Sequence, residues 1–167
     1  AGADMNKVVY AGVGKTEAEI IMALEKSIKL FNVESEPELE LINEIAKKLG
    51  KKANVCFRIN PDVDPKTHKY ITTGKKENKF GLDFDLGIKL FKKADDFKSV
   101  KIKGIHLHIG SQIIEAKPFV DALNKAGEFI KKIRALGRDI EILNLGGGFG
   151  IVYKDEKPQS LDEIAKQ

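Results

Sequence analysis

The chain has 167 residues, 42% of them hydrophobic and 32% charged, a balance typical of one globular domain with a sizeable core. The net charge of +4 comes from lysines interleaved with glutamates and not with aromatic residues, so we expect no nucleic-acid partner. The single cysteine, Cys56, excludes an internal disulfide and favours a cytoplasmic location. The sequence has no apolar run long enough to cross a bilayer, so we expect no membrane partner.

The predicted elements alternate between strands and helices along the chain. Five β-rich runs are predicted strands: 7–11, 30–33, 54–60, 100–110 and 140–145. Amphipathic stripes and start signals predict helices over 16–29, 35–49, 83–94 and 117–136, and capping boxes begin at Thr16, Ser35 and Ser160. Such alternation implies parallel strands joined by crossovers, which is an α/β fold.

Polar side chains on one face of two predicted strands favour a barrel over an open sheet. In the strand over 54–60, Arg58 lies opposite the apolar side chains, and in the strand over 100–110, His106 and His108 do the same. Helices cover both faces of an open parallel sheet, whereas one face of every barrel strand meets the lumen. The sequence therefore predicts an incomplete (β/α)8 TIM barrel with about five strand–helix units.

Glycines mark a candidate anion-binding turn. In Gly146–Gly150, successive residues without side chains would let backbone N–H groups approach an anion, although a tight turn alone would also explain them. The spacing does not match the dinucleotide-binding fingerprint, and Gly14-Lys15-Thr16 lacks the upstream glycine of a phosphate-binding P-loop. The segment 61–83 has no helix or strand period and is predicted to be an active-site loop.

The two histidines also allow a metal-binding interpretation. His106 and His108 have the spacing of a metal-binding pair on one strand face, as in metal-dependent hydrolases built on barrels. His68 is the third histidine, and it falls in the predicted loop. The simpler interpretation is that both histidines are hydrogen-bonded side chains of the barrel lumen. This interpretation suits His106 better than His108, which is nearer the carboxyl end of the strand.

Several stretches of the sequence carry a family likeness. They are FRINPDVDPKTHKYITTGKKENKFGL (57–82), GIHLHIGSQI (104–113) and LNLGGGFGIVY (143–153), with weaker matches at 10–20 and 31–39. Together they resemble the pyridoxal-phosphate-dependent decarboxylases with an alanine-racemase-like barrel. The likeness implies pyridoxal 5'-phosphate as cofactor and the decarboxylation of an amino acid. HIGSQ and NPDVDP are more similar to family members acting on meso-diaminopimelate than to those acting on ornithine or arginine, so the implied products are L-lysine and CO2.

The resemblance also implies roles for individual residues. His108 matches the catalytic histidine that stacks on the pyridine ring of the cofactor, and Ser111 matches a residue at its phosphate. Arg58 matches a lumen arginine near the cofactor. The phosphate-binding glycine loop of the family matches Gly146, Gly147 and Gly148.

Two family features have no match in the sequence. One is the lysine that carries the cofactor, and the other is a Glu-Pro-Gly-Arg segment whose acid pairs with the pyridine nitrogen. We therefore expect residues 1–167 to be an internal part of a pyridoxal-phosphate-binding barrel domain, without the C-terminal β domain and inactive alone. The complete protein is expected to be a homodimer. A non-catalytic module that binds pyridoxal phosphate or phosphate is the alternative.

Overall fold

The computed structural model describes residues 2–63 and 80–167, which form one parallel sheet with helices. The strands are β1 (Val9–Tyr10), β2 (Leu30–Val33), β3 (Ala53–Arg58), β4 (Val100–His106) and β5 (Ile142–Asn144). The helices are α1 (Glu17–Glu25), α2 (Glu36–Lys48), α3 (Phe84–Lys92), α4 (Lys117–Ala135) and α5 (Leu161–Ala165). Short 3₁₀ turns lie at Met5–Lys7 and Ala94–Asp96.

The order of the strands in the sheet is the order of the strands in the chain. Neighbours pair as β1-β2-β3-β4-β5, and every pair is parallel. Consecutive units of a (β/α)8 barrel have this arrangement, whereas a doubly wound open sheet reverses its strand order at a switch point. The sheet curls as a half-barrel, so the predicted α/β class and incomplete TIM barrel are confirmed.

The two faces of the sheet differ as the alternation predicts. Phe57 of β3 and Ile105 of β4 are completely buried in the hydrophobic core, which lies between the sheet and the helices. Arg58 and His106 are the next residues in the two strands and project to the opposite, lumen face. Cys56 is also buried on the lumen face, and burial raises the pKa of its thiol to about 12.

Strand β4 is shorter than the prediction. It ends at His106 and not at residue 110, so His108 lies in the segment that follows the strand. Gly110 has a φ of 149° and Gln112 a φ of 57°, and neither value is compatible with a continuing strand. Of the predicted active-site loop over 61–83, residues 64–79 lie outside the described part of the chain.

Two of the three predicted capping boxes form completely, at Thr16 and at Ser160. The third forms only in part. Ser35 Oγ accepts a hydrogen bond from the Glu38 N–H, but the Glu38 carboxylate binds Lys15 Nζ and the Glu34 N–H and does not return to Ser35. A helix start signal therefore has a second use in the tertiary structure.

Within the described residues, no helix is long and apolar enough to cross a membrane.

Candidate functional site

Polar side chains form a row at the carboxyl edge of the sheet. Arg58 of β3 is in register with His106 of β4, and His106 is in register with Asn144 of β5. Because all strands are parallel, their carboxyl ends meet at this edge, where barrel enzymes carry their active sites. The candidate functional site therefore lies where β3, β4 and β5 end.

The glycine turn after β5 packs against the segment after β4. A Cβ atom on Gly146 would clash with the backbone oxygen of Leu107, and one on Gly148 would clash with the backbone oxygen of Gly110. Both glycines also have positive φ values, 75° and 94°. Ile113 N–H donates to Gly148 O at 2.9 Å, which holds the two segments together. Only residues without a side chain allow this approach.

The turn brings the sequence-predicted cofactor residues together. His108 is half-buried, and the Gly147 N–H approaches its Nδ1 at 3.5 Å, a long contact. Ser111 is exposed, and its Cα would lie 3.4 Å from a Cβ on Gly148. Two segments distant in sequence thus present an imidazole, a hydroxyl and a set of backbone amides at one place.

The amides of the turn have different roles. Gly146 N–H donates to Asn144 Oδ1 at 2.8 Å and so holds the turn to the end of β5. Within the described residues, the Gly148 N–H and the Ser111 hydroxyl have no hydrogen-bond partner, and the space beside Gly147 is open for 4 Å around a Cβ position. Unpartnered donors beside open space fit a phosphate group, and a half-buried imidazole fits the face of an aromatic ring.

Both histidines at the site are held uncharged at neutral pH. Burial lowers the pKa of His106 to about 4, and the nearby Arg58, His108 and Lys15 contribute by disfavouring a second positive charge. Burial and Arg58 also lower the pKa of His108, while Glu34 opposes this effect. His106 Nδ1 is buried without a hydrogen-bond partner in the described part of the chain. A neutral ring can lie against an aromatic cofactor without bringing a charge into the lumen.

His106 should make folding stability depend on pH. The unfolded chain binds a proton near pH 6.5, whereas folded His106 binds one only near pH 4, so lowering the pH through this range favours unfolding. The expected loss in the free energy of unfolding is about 3 kcal/mol between pH 7.5 and 4. Guanidinium unfolding at several pH values measures it. His106→Gln should flatten the dependence, and an unchanged pH dependence in this variant would contradict the assignment.

The sequence indicated no site role for two charged residues near the site, Lys15 and Glu34. Lys15 Nζ is buried and donates to Gly12 O, Asn32 O and Glu38 Oε1 at 2.6–2.8 Å. Glu34 follows β2 directly and forms an ion pair with Arg58 at 2.6 Å. Strand alternation places Asn32 and Glu34 on the face opposite Phe31 and Val33, but it does not indicate the pairing of Glu34 with Arg58. Lys15 was assessed only as part of a P-loop.

The metal-binding alternative gains no support from the described residues. Across 2–63 and 80–167, no group of three or more histidine, cysteine, aspartate or glutamate side chains could hold a metal ion. His68 lies outside these ranges.

A separate cavity of about 410 Å³ opens at the amino edge of the sheet, between α1, β2 and β3. Its lining includes Lys29, Lys51 and Asn54. Lys51 Nζ donates to Leu24 O near the end of α1, at 2.9 Å. This edge of a barrel serves stability and not chemistry, and no sequence-predicted site residue lines the cavity.

The chain also matches a known protein family. A family model described as "Pyridoxal-dependent decarboxylase, pyridoxal binding domain" matches residues 1–167. The chain belongs to this family. Pyridoxal phosphate, expected from the resemblance, is therefore confirmed as the cofactor of the family.

Individual pyridoxal-dependent decarboxylases are similar to the chain over nearly its whole length. Diaminopimelate decarboxylase of Vibrio cholerae is 49% identical over 166 residues, covering 99% of the chain and 40% of the relative. Diaminopimelate decarboxylase of Methanocaldococcus jannaschii is 50% identical, covering 95% and 37%. The crystal structure of the Helicobacter pylori enzyme complexed with L-lysine superposes with a TM-score of 0.90 at 40% identity, covering 99% and 42%. The chain thus spans about 40% of the length of these relatives.

Proposed function

We propose that the protein to which these residues belong is a diaminopimelate decarboxylase, which converts meso-2,6-diaminopimelate to L-lysine and CO2 with pyridoxal phosphate. The observation that carries the proposal is the glycine turn packed against the segment that bears His108 and Ser111 at the carboxyl edge of the sheet. Identities of 45–50% to diaminopimelate decarboxylases support the choice of substrate.

In the proposed site, the residues of this chain bind and orient the cofactor. The Gly148 amide and the Ser111 hydroxyl would donate hydrogen bonds to its phosphate, and the Gly147 amide would do so by giving up its long contact with His108 Nδ1, while Gly146 keeps the turn in place through Asn144. The neutral imidazole of His108 would lie against the pyridine ring, and Arg58 would place a cation on the lumen wall. When bound, pyridoxal phosphate provides an acceptor for the electron pair that remains after the carboxylate leaves.

The single sheet and the family resemblance support further proposals about the domain and the whole protein. We infer that residues 1–167 are part of one pyridoxal-phosphate-binding barrel domain, because a single sheet runs through the described residues. From the family resemblance we further propose that the protein acts in lysine biosynthesis, in the cytoplasm, and as a homodimer. Light scattering on the purified protein, coupled to size exclusion, tests the dimer through its mass.

The proposed activity is tested on protein expressed from the complete reading frame that encodes this chain. CO2 release is measured from meso-diaminopimelate, L-ornithine and L-arginine, with and without added pyridoxal phosphate. We expect release from meso-diaminopimelate only with the cofactor, and at least about 100-fold lower kcat/KM for the other two amino acids, since a pocket that pairs polar groups discriminates strongly. Preference for ornithine or arginine would contradict the proposal, and cofactor binding without release from any substrate would favour the non-catalytic module.

A further inference from the structure

Four charged side chains form a connected set between the ends of β2 and β3 and the starts of α1 and α2. Lys15 Nζ donates to Glu38 Oε1, and Glu38 Oε2 accepts a hydrogen bond from the Glu34 N–H at 3.2 Å. The Glu34 carboxylate in turn accepts a hydrogen bond from Arg58 NH1 at 2.6 Å. The backbone and side chain of Glu34 are therefore both held, and the last member of the set is an arginine on the lumen face.

The Glu34–Arg58 pair is poorly suited to a purely stabilising role. The Glu34 side chain is 5% exposed and the Arg58 side chain 11%, so both charges have lost most of their water. The attraction within such a buried pair often does no more than offset the cost of desolvation. In addition, Glu34 Oε1 has no hydrogen-bond partner within the described residues, so the pair is not fully satisfied. A structural ion pair would be expected to use both carboxylate oxygens.

The position of Arg58 links this pair to the candidate site. Arg58 is in register with His106 on the neighbouring strand, and its charge lowers the pKa of both His106 and His108. Besides the bond to Glu34, its guanidinium makes no hydrogen bond within 2–63 and 80–167, and it lies 5.6 Å from the ring centre of Phe80. Among the described residues, four of its five N–H donors therefore have no hydrogen-bond partner.

We propose that Glu34 is a positioning residue for the cofactor site, which holds the Arg58 guanidinium beside His106 and His108 without needing to contact the cofactor itself. This inference rests on the proposed function. Without the carboxylate, Arg58 would be a long flexible side chain with many rotamers, and the cation on the lumen wall would lose its fixed place. Glu34 should therefore act on cofactor binding only through Arg58.

A double-mutant cycle in pyridoxal phosphate affinity tests this dependence on protein from the complete reading frame. Arg58→Gln is expected to weaken binding by about tenfold or more, the effect of one charge-assisted hydrogen bond. Glu34→Gln, which keeps the size and removes the charge, should weaken binding nearly as much. The double variant should bind no more weakly than Arg58→Gln alone, because residues that act as one unit are not additive. Affinity is read from the absorbance and fluorescence of the bound cofactor.

Glu36→Gln is the matched control. Glu36 is close to Glu34 in sequence but pairs with Lys89 and Lys93 at 3.3–3.7 Å on α3 and just after it, so this variant should bind the cofactor like the wild type. If Glu34→Gln does not fold by circular dichroism, Glu34→Asp, with its shorter reach, replaces it in the same cycle with the same expected non-additivity.

The results of this experiment distinguish a failure of the proposed function from a failure of the positioning role of Glu34. If the wild type does not bind pyridoxal phosphate, the proposed function fails. If the wild type binds it, but the Glu34 variant binds as tightly, or loses the same factor in the Arg58→Gln background as in the wild type, the positioning role is overturned and the proposed function stands.

Discussion

Gly148→Ala is expected to lower the affinity for pyridoxal phosphate by about 100-fold, through the loss of two charge-assisted hydrogen bonds. The added methyl group would clash with the backbone oxygen of Gly110, and the φ of 94° is unfavourable for alanine. The turn and the 107–111 segment must then separate, which moves the Gly148 amide away from Ser111. Titration of the purified variant with the cofactor measures the loss.

Gly147→Ala is the control for this experiment. A Cβ atom on Gly147 would meet nothing within 4 Å, so this variant should melt at the same temperature as the wild type. Any loss of cofactor affinity in Gly147→Ala then reports on the ligand and not on the fold. Wild-type affinity in Gly148→Ala would show that the packed turn does not form the phosphate site.

Gly104→Ala is expected to destabilise the fold by about 3 kcal/mol or more, at the upper end of the cost of overpacking. Its Cβ atom would lie 2.7 Å from the carbonyl carbon of Ile142 and closer still to the oxygen. Both atoms belong to the backbone of β5, so no side-chain rotation can relieve the clash. Because Gly104 pairs with Ile142 two residues before His106 pairs with Asn144, the site should be displaced as well. Denaturant unfolding measures the effect.

Gly127→Ala controls for the general effect of replacing glycine. Gly127 lies inside α4, and nothing lies within 4 Å of its Cβ position, so alanine should stabilise the protein by up to about 1 kcal/mol through its higher helix propensity. If Gly104→Ala destabilises the protein and Gly127→Ala stabilises it, the contacts at each position, and not the replacement of glycine in general, decide the change in stability. A Gly104→Ala variant as stable as the wild type would contradict the β4–β5 register.

Local pattern was sufficient to predict most of the fold. The alternation in β2 predicted its bounds, Leu30–Val33, without error, and the alternation in β3 and β4 placed Arg58 and His106 on the lumen face. These predictions succeed because side-chain period and burial follow directly from strand geometry. The end of β4 was missed because the pairing with β5 stops at His106 and Asn144, and the polar and apolar pattern of residues 107–110 does not encode where pairing stops.

The sequence indicated candidate site residues but not the hydrogen bonds between them. The glycine turn and His108 were identified from the sequence, yet which amides are free depends on the bond from Gly146 to Asn144. The local sequence predicts that Glu38 is half of a capping box, and only the tertiary structure shows that its carboxylate binds Lys15 Nζ and the Glu34 N–H instead of returning to Ser35. Contacts between charged residues distant in sequence produce no periodic sequence pattern. The Glu34–Arg58 pair could therefore be identified only from the structure.

A crystal structure of the protein with pyridoxal phosphate would show whether the glycine turn holds the cofactor phosphate. We expect the phosphate within hydrogen-bond distance of the Gly147 and Gly148 amides and the Ser111 hydroxyl, with the pyridine ring against His108. A cofactor bound elsewhere, for example in the cavity beside Lys29 and Lys51 at the amino edge of the sheet, would contradict it.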